Sequence, residues 1–136
     1  MSIGDHKTSS YITWSPMMKA STARRLAIVV LRVVITLLFA PAIAIKLRHP
    51  ADWGQRFAAW GYPSWGAVVV SVAEIAGLVA LWIPPLARIG IGILMVTLTG
   101  ATATWLIHGP AWAATYPGLI LVLVVTLARI DRTKTE

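Results

Sequence analysis

Four stretches of about twenty apolar residues, cut apart by prolines and short polar joins, dominate what this chain can fold into. They cover roughly residues 26–47, 64–83, 87–107 and 111–130. Each is near the ~20 residues a helix needs to cross a ~30 Å hydrocarbon core. Short joins between such spans leave a helix bundle as the sensible architecture, because lipid offers the backbone no hydrogen bonds. The breaks have chemical causes. Pro84-Pro85 ends the second run, since neither proline can donate a helix hydrogen bond. His108-Gly109-Pro110 ends the third, and Pro117 predicts a late start or a kink in the fourth. The expected fold is all-α: a membrane four-helix bundle with a short interfacial helix between the first two spans. Residues 1–25 are expected to be a polar, basic cytoplasmic tail, 26–130 the membrane domain, and 131–136 a second cytoplasmic tail.

Composition agrees. The chain of 136 residues is 57% hydrophobic and 12% charged, against about 45–50% and about 25% in soluble domains. It has no cysteine, which excludes disulfides, thiolate metal sites and iron–sulfur clusters. A net charge of +7 raises nucleic acid as a partner, but the basic residues gather at the ends of apolar runs rather than along one polar stripe. No nucleic acid is expected; the lipid bilayer is. No small-residue cleavage site follows a short apolar core, so the first run reads as an anchor rather than a secretory signal. Lys7, Lys19, Arg24, Arg25, Arg88, Arg129, Arg132 and Lys134 would share one side, against Lys46, Arg48 and Arg56 on the other. That bias predicts a multi-pass plasma (inner) membrane protein with both termini in the cytoplasm.

A charge inside a span costs at least ~2.5–3.5 kcal/mol, which makes such residues functional suspects. Glu74 lies deep in the second span and needs a proton or a cation. Counting rise per residue puts Arg32 about 9 Å and Glu74 about 13 Å from the cytoplasmic surface. Lys46 and Arg88 fall roughly 12–13 Å from Glu74 along the membrane normal. Arg32 is therefore the expected partner, with Lys46 and Arg88 snorkelling to the interfaces. Arg32, Phe39 and Lys46 share one helical face. The polar interior formed by Arg32, Glu74, Lys46 and Arg88 would either hold an anionic or quinone-like head group or fix helix register as a structural network.

Between the first two spans, Trp53, Phe57 and Trp60 recur at helical spacing beside Arg56. This suits a short helix at headgroup level, and these four residues are candidates for docking a partner. Small residues around Glu74 (Ala73, Ala76, Gly77, Ala80), and Gly90 and Gly92, read as close-packing positions. The threonines of the third span are expected to bond back to their own helix. His6, His49 and His108 form no facing pair for a haem and no cluster with carboxylates, so no metal is expected.

The order Leu31-Arg32, Lys46, Gly61-Tyr62-Pro63, Glu74 with Gly77, and Arg88 after Pro84-Pro85 resembles the DoxX / DoxX-like family of integral membrane proteins. The resemblance covers about residues 26–130. One departure stands out. The family's glycine shortly before the lysine is replaced here by Pro41-Ala42-Ile43-Ala44, so close packing is not expected at that end of the first helix. The family's name-giving member is the small membrane subunit of a thiosulfate:quinone oxidoreductase, and relatives are membrane partners of oxidative-stress or sulfur-handling proteins. The resemblance thus implies a membrane subunit or partner of a redox assembly, with a peripheral or membrane redox protein beside it. It implies no intrinsic cofactor, with a quinone as the candidate ligand, and a non-catalytic subunit rather than a stand-alone enzyme. Two rivals stand: a non-catalytic scaffold or assembly factor docking through Trp53–Trp60, and a small proton-coupled transporter built on Glu74.

Overall fold

The computed structural model describes residues 16–133. The expected tail up to residue 15, with His6, Lys7 and Trp14, and residues 134–136 with Lys134 lie outside the described residues. Among the described residues five α-helices follow one another: α1 (Pro16–Arg48), α2 (Pro50–Ala59), α3 (Gly66–Trp82), α4 (Ala87–His108) and α5 (Thr115–Arg132). Short 3-10 turns, Pro84–Leu86 and Ala111–Ala114, precede α4 and α5. No strand occurs among the described residues.

Two boundaries differ from expectation. Helix α1 begins at Pro16, so Lys19, Arg24 and Arg25 belong to the helix rather than to a tail. Three helical segments are long and apolar enough to cross a membrane: Lys19–Arg48, Pro84–His108 and Ala111–Arg132. Helix α3 has 17 residues, fewer than the apolar run that contains it. A turn with N–H donation from Gly66 to the Pro63 carbonyl consumes its first residues. At its far end Ile83 is extended, as the clash with Pro84 demands. Apolar letters continue where the helix cannot. Pro117 falls in the first turn of α5, where its missing N–H costs nothing, and the fourth helix does start late.

Helices α1, α3, α4 and α5 touch in a ring: α1 with α3, α3 with α4, α4 with α5, and α5 back to α1. Hydrogen bonds give the directions. Tyr116 Oη donates to the Leu38 carbonyl and Arg24 donates to the Ile130 carbonyl, so α5 descends as α1 rises. Lys46 reaches Glu74 while Trp82 Nε1 donates to Thr36 Oγ1, so α3 is also antiparallel to α1. Pro41 inside α1 supplies no N–H, so the Leu37 carbonyl a turn below it loses its helix donor, and the Tyr116 hydroxyl from α5 bonds the next carbonyl, that of Leu38.

The ring is packed unevenly along its length. The end away from α2 holds Ile28, Ile35, Leu81, Ile91, Leu94, Val124 and Leu127 of a buried cluster that continues through Phe39, Ile43, Leu98 and Ile120 toward α2. There α3 and α4 meet backbone to backbone: a Cβ on Gly90 would lie 2.6 Å from the Gly77 carbonyl oxygen and 2.7 Å from the Leu81 nitrogen. Gly77 in turn faces Leu94, whereas Gly92 faces open space. Gly90→Ala is therefore expected to destabilise the protein by about 1–3 kcal/mol through overpacking. Gly92→Ala, gaining only helix propensity, should be neutral or stabilising by up to ~1 kcal/mol. Thermal unfolding of the two variants in the same detergent checks the contrast.

Candidate functional site

The far end of the ring, capped by α2, is open. A cavity of about 1010 Å³ lies there. Its walls come from the C-terminal part of α1, the aromatic face of α2, the N-terminal part of α3, and the adjoining parts of α4 and α5. Pro41 and Ala42 contribute to the wall.

Helix α2 owes its position to its own ends. Pro50 occupies its first turn and Asp52 favours the positive end of its dipole. At the other end Gly61 adopts φ +84°, a left-handed conformation that suits glycine. The Tyr62 N–H then donates to the Phe57 carbonyl (2.9 Å) and the Gly61 N–H to the Ala58 carbonyl (3.0 Å), the paired bonds of a Schellman motif. The motif folds the Tyr62 ring back against Phe57, with centroids 5.9 Å apart. Tyr62 Oη also shares a hydrogen bond with Thr104 Oγ1 on α4 (3.2 Å). Trp60 meets the edge of Trp105 at 5.2 Å and stacks near His108. The result is an aromatic cover tied to α4.

Of the four residues proposed for docking, Trp53, Phe57 and Trp60 line the cavity. The aromatic face of α2 thus turns inward over the helices. Arg56 is exposed and does not line the cavity; its guanidinium carbon lies 4.8 Å from the Trp53 ring and 5.8 Å from that of Trp105.

At the inner end of the cavity stand Lys46 and Glu74. Lys46 Nζ lies 2.5 Å from Glu74 Oε2, and their side chains are 11% and 6% exposed. This corrects the expectation that Arg32 pairs with Glu74. Depth was counted between backbone positions, whereas side chains tilt toward the N-terminus of their own helix. On antiparallel helices that tilt carries Lys46 from the α2 end toward the centre and lifts Glu74 to meet it. The same tilt carries Arg32 away from Glu74. Arg32 makes no ion pair or side-chain hydrogen bond with a described residue, and its buried Nε has no partner. Arg88 is exposed at the start of α4, near the opposite end of the ring. Neither Arg32 nor Arg88 lines the cavity.

The remaining polar wall is modest. Thr97 and Thr104 line the cavity but donate to the carbonyls of Leu94 and Gly100 in their own helix, as expected. Among the described residues no group of three His, Asp or Glu side chains could hold a metal ion. Tyr62, Trp105, Trp112 and Tyr116 are cavity residues that the sequence reading left out of the site. Tyr62 carried a signal, since a glycine before it and a proline after it mark a turn that fixes its ring.

The family profile of the DoxX-like proteins matches residues 30–127. The chain belongs to the DoxX-like family. No curated protein and no solved structure matches it. The family match runs from just before Arg32 to the last turns of α5, and so includes Lys46, Glu74 and the whole cavity wall.

A buried pair broken at one end leaves an uncompensated charge, which costs about 3–5 kcal/mol, while replacing both partners by apolar residues is often neutral or stabilising. In this DoxX-like protein Lys46→Met alone should lower stability by that amount. Lys46→Met combined with Glu74→Met should recover most of the loss. Reversible unfolding of the single and double variants in one detergent reads both effects.

Proposed function

We propose that this small DoxX-like membrane protein crosses the inner membrane four times, with both termini cytoplasmic, and holds a lipophilic, quinone-like molecule in the cavity under α2. In this reading it serves a redox assembly as a ligand-holding, non-catalytic subunit. The observation that carries it is the Lys46–Glu74 pair at the inner end of a large, apolar, aromatic-walled cavity. Crossing by α3 is supported by its antiparallel contact with α1 and α4 along its length, although the helix itself is short. Orientation is supported by the excess of Lys and Arg at the end of the ring away from α2.

The donor set fits such a ligand. Ligand sites span about 300–1,000 Å³ and are mostly apolar with a few placed polar groups. The volume here admits a ring with part of an isoprenoid or alkyl tail. Trp53, Phe57, Trp60 and Trp105 provide faces against which a flat ring stacks. Lys46 uses one donor on Glu74 and has others for a carbonyl oxygen of the ligand. Glu74 orients Lys46, and its second oxygen, Oε1, is where a proton would be held or released. A bound quinone would supply the electron chemistry; the chain supplies position, exclusion of water and the proton site. The inward turn of Trp53, Phe57 and Trp60 speaks for this reading over docking through that face.

Titration of a decyl-tailed benzoquinone into the protein in lipid nanodiscs tests the proposal through tryptophan fluorescence. Saturable quenching is expected. Ala101→Phe, which pushes a ring into the cavity from α4, should weaken the saturable part, and Lys46→Gln should weaken it roughly tenfold, the worth of a charged hydrogen bond. Quenching that rises linearly and equally in all three proteins would mean partition into lipid alone and would sink the reading. Native mass spectrometry of gently extracted protein gives a second check: a stoichiometric protein partner with no small ligand would favour a scaffold instead.

A further inference from the structure

The guanidinium of Arg32 stands out once Lys46 has taken Glu74. Its Nε is the one buried side-chain nitrogen or oxygen among the described residues with no hydrogen-bond partner. Arg32 belongs to the inward stripe of α1, with Ile28 below it and Ile35 and Phe39 above, all buried. Directly above it, Thr36 Oγ1 donates to the Arg32 carbonyl (2.8 Å) and accepts from Trp82 Nε1 (3.1 Å). A helical side chain tilts toward the N-terminus of its own helix, here away from the cavity.

The charge balance at that end of the ring points to an anion. Lys19, Arg24, Arg25 and Arg129 stand there. Of the three carboxylates among the described residues, Asp52 and Glu74 lie toward the α2 end, and only Asp131 is near. Asp131 follows Ile130, whose carbonyl receives Arg24 at 2.6 Å, and so lies about 12 Å from Arg32 along α1. Beside Arg32, Val29, Val33 and Leu37 form an exposed apolar strip on α1. An acyl chain would lie along such a strip while a phosphodiester met the arginine.

We infer that Arg32 binds the phosphodiester of an anionic phospholipid in the leaflet that surrounds the end of the ring away from α2. Guanidinium and phosphate match as a planar fork against two oxygens. A turn of the side chain's last torsions brings Nε out to share that fork and satisfies the one nitrogen now without a partner. Arg24 is held on Ile130 and so serves to close the base of the ring rather than to compete for the headgroup. This assignment is independent of what the cavity under α2 holds.

The experiment compares the protein in nanodiscs of phosphatidylcholine with and without phosphatidylglycerol, reading thermal unfolding and the lipids retained in native mass spectrometry. Wild type should retain phosphatidylglycerol over phosphatidylcholine by roughly tenfold and unfold at higher temperature when it is present. Arg32→Leu should lose the preference, Arg32→Lys should keep only part of it, and Arg25→Gln should leave it intact. No preference in the wild type would overturn the inference without any variant being needed. An undiminished preference in Arg32→Leu would assign it to the basic end as a whole and overturn the role of Arg32. Equal stabilisation by inorganic phosphate in detergent would overturn the lipid as the source.

Discussion

Inside a bilayer a polar group has no water to fall back on, and an unsatisfied one costs several kcal/mol. The way this chain meets that constraint explains most of its interhelical hydrogen bonds. Threonines on α4 donate to carbonyls of their own helix. Trp82 reaches across to Thr36, and Tyr116 reaches across to a carbonyl beside the Pro41 break. Arg24 places a positive charge on the carbonyl end of α5, where the helix dipole welcomes it. Lys46 and Glu74 satisfy each other from different helices. Each of the last four bonds also ties one helix to another at a definite height, so satisfying the polar groups and setting the register are one event.

The same constraint accounts for the polarity of the ring. Close approach needs small residues, and Gly77 and Gly90 supply them where α3 and α4 cross. Toward α2, Gly66 meets the Phe57 ring and Gly100 faces open space instead of a neighbouring backbone, Pro41 interrupts the hydrogen bonding of α1, and the turn at Gly61 follows α2 at the opening. A helix ring that could not close there leaves a volume that bulky aromatics rim rather than fill. Close packing and open volume thereby fall at opposite ends of one small protein.

How far this was legible in the sequence varies with the kind of signal. Proline and glycine mark backbone events, so the breaks at Pro84-Pro85 and Gly109-Pro110, the late start near Pro117 and the turn at Gly61 could all be read. Periodicity placed Trp53, Phe57 and Trp60 on one face but could not say which way the face turns, because an aromatic stripe suits a membrane interface and a cavity wall alike. Start points fared worst. Lys19, Arg24 and Arg25 look like a tail by charge, yet charged residues with long side chains are good helix formers and simply extend α1. The choice of Arg32 over Lys46 failed for a geometric reason. Residue height along a helix is a property of Cα atoms, while ion pairs form between side-chain ends several ångströms away, tilted in opposite directions on antiparallel helices.

That tilt has a consequence for which charges in such a ring can meet. On antiparallel neighbours, side chains near the N-terminal ends diverge toward the two surfaces, and those placed past the middle converge on the core. Lys46, near the C-terminal end of α1, can therefore reach inward to a carboxylate, and its stem is long enough to do so while its backbone stays near the edge. Arg32, nearer the N-terminal end, is aimed at the opposite surface and cannot serve the same carboxylate. Two cations on one helical face are thus sorted by position alone, one toward the cavity and its carboxylate and the other toward the opposite end of the ring. Exchanging lysine for arginine would not exchange the roles, because direction rather than residue type decides them.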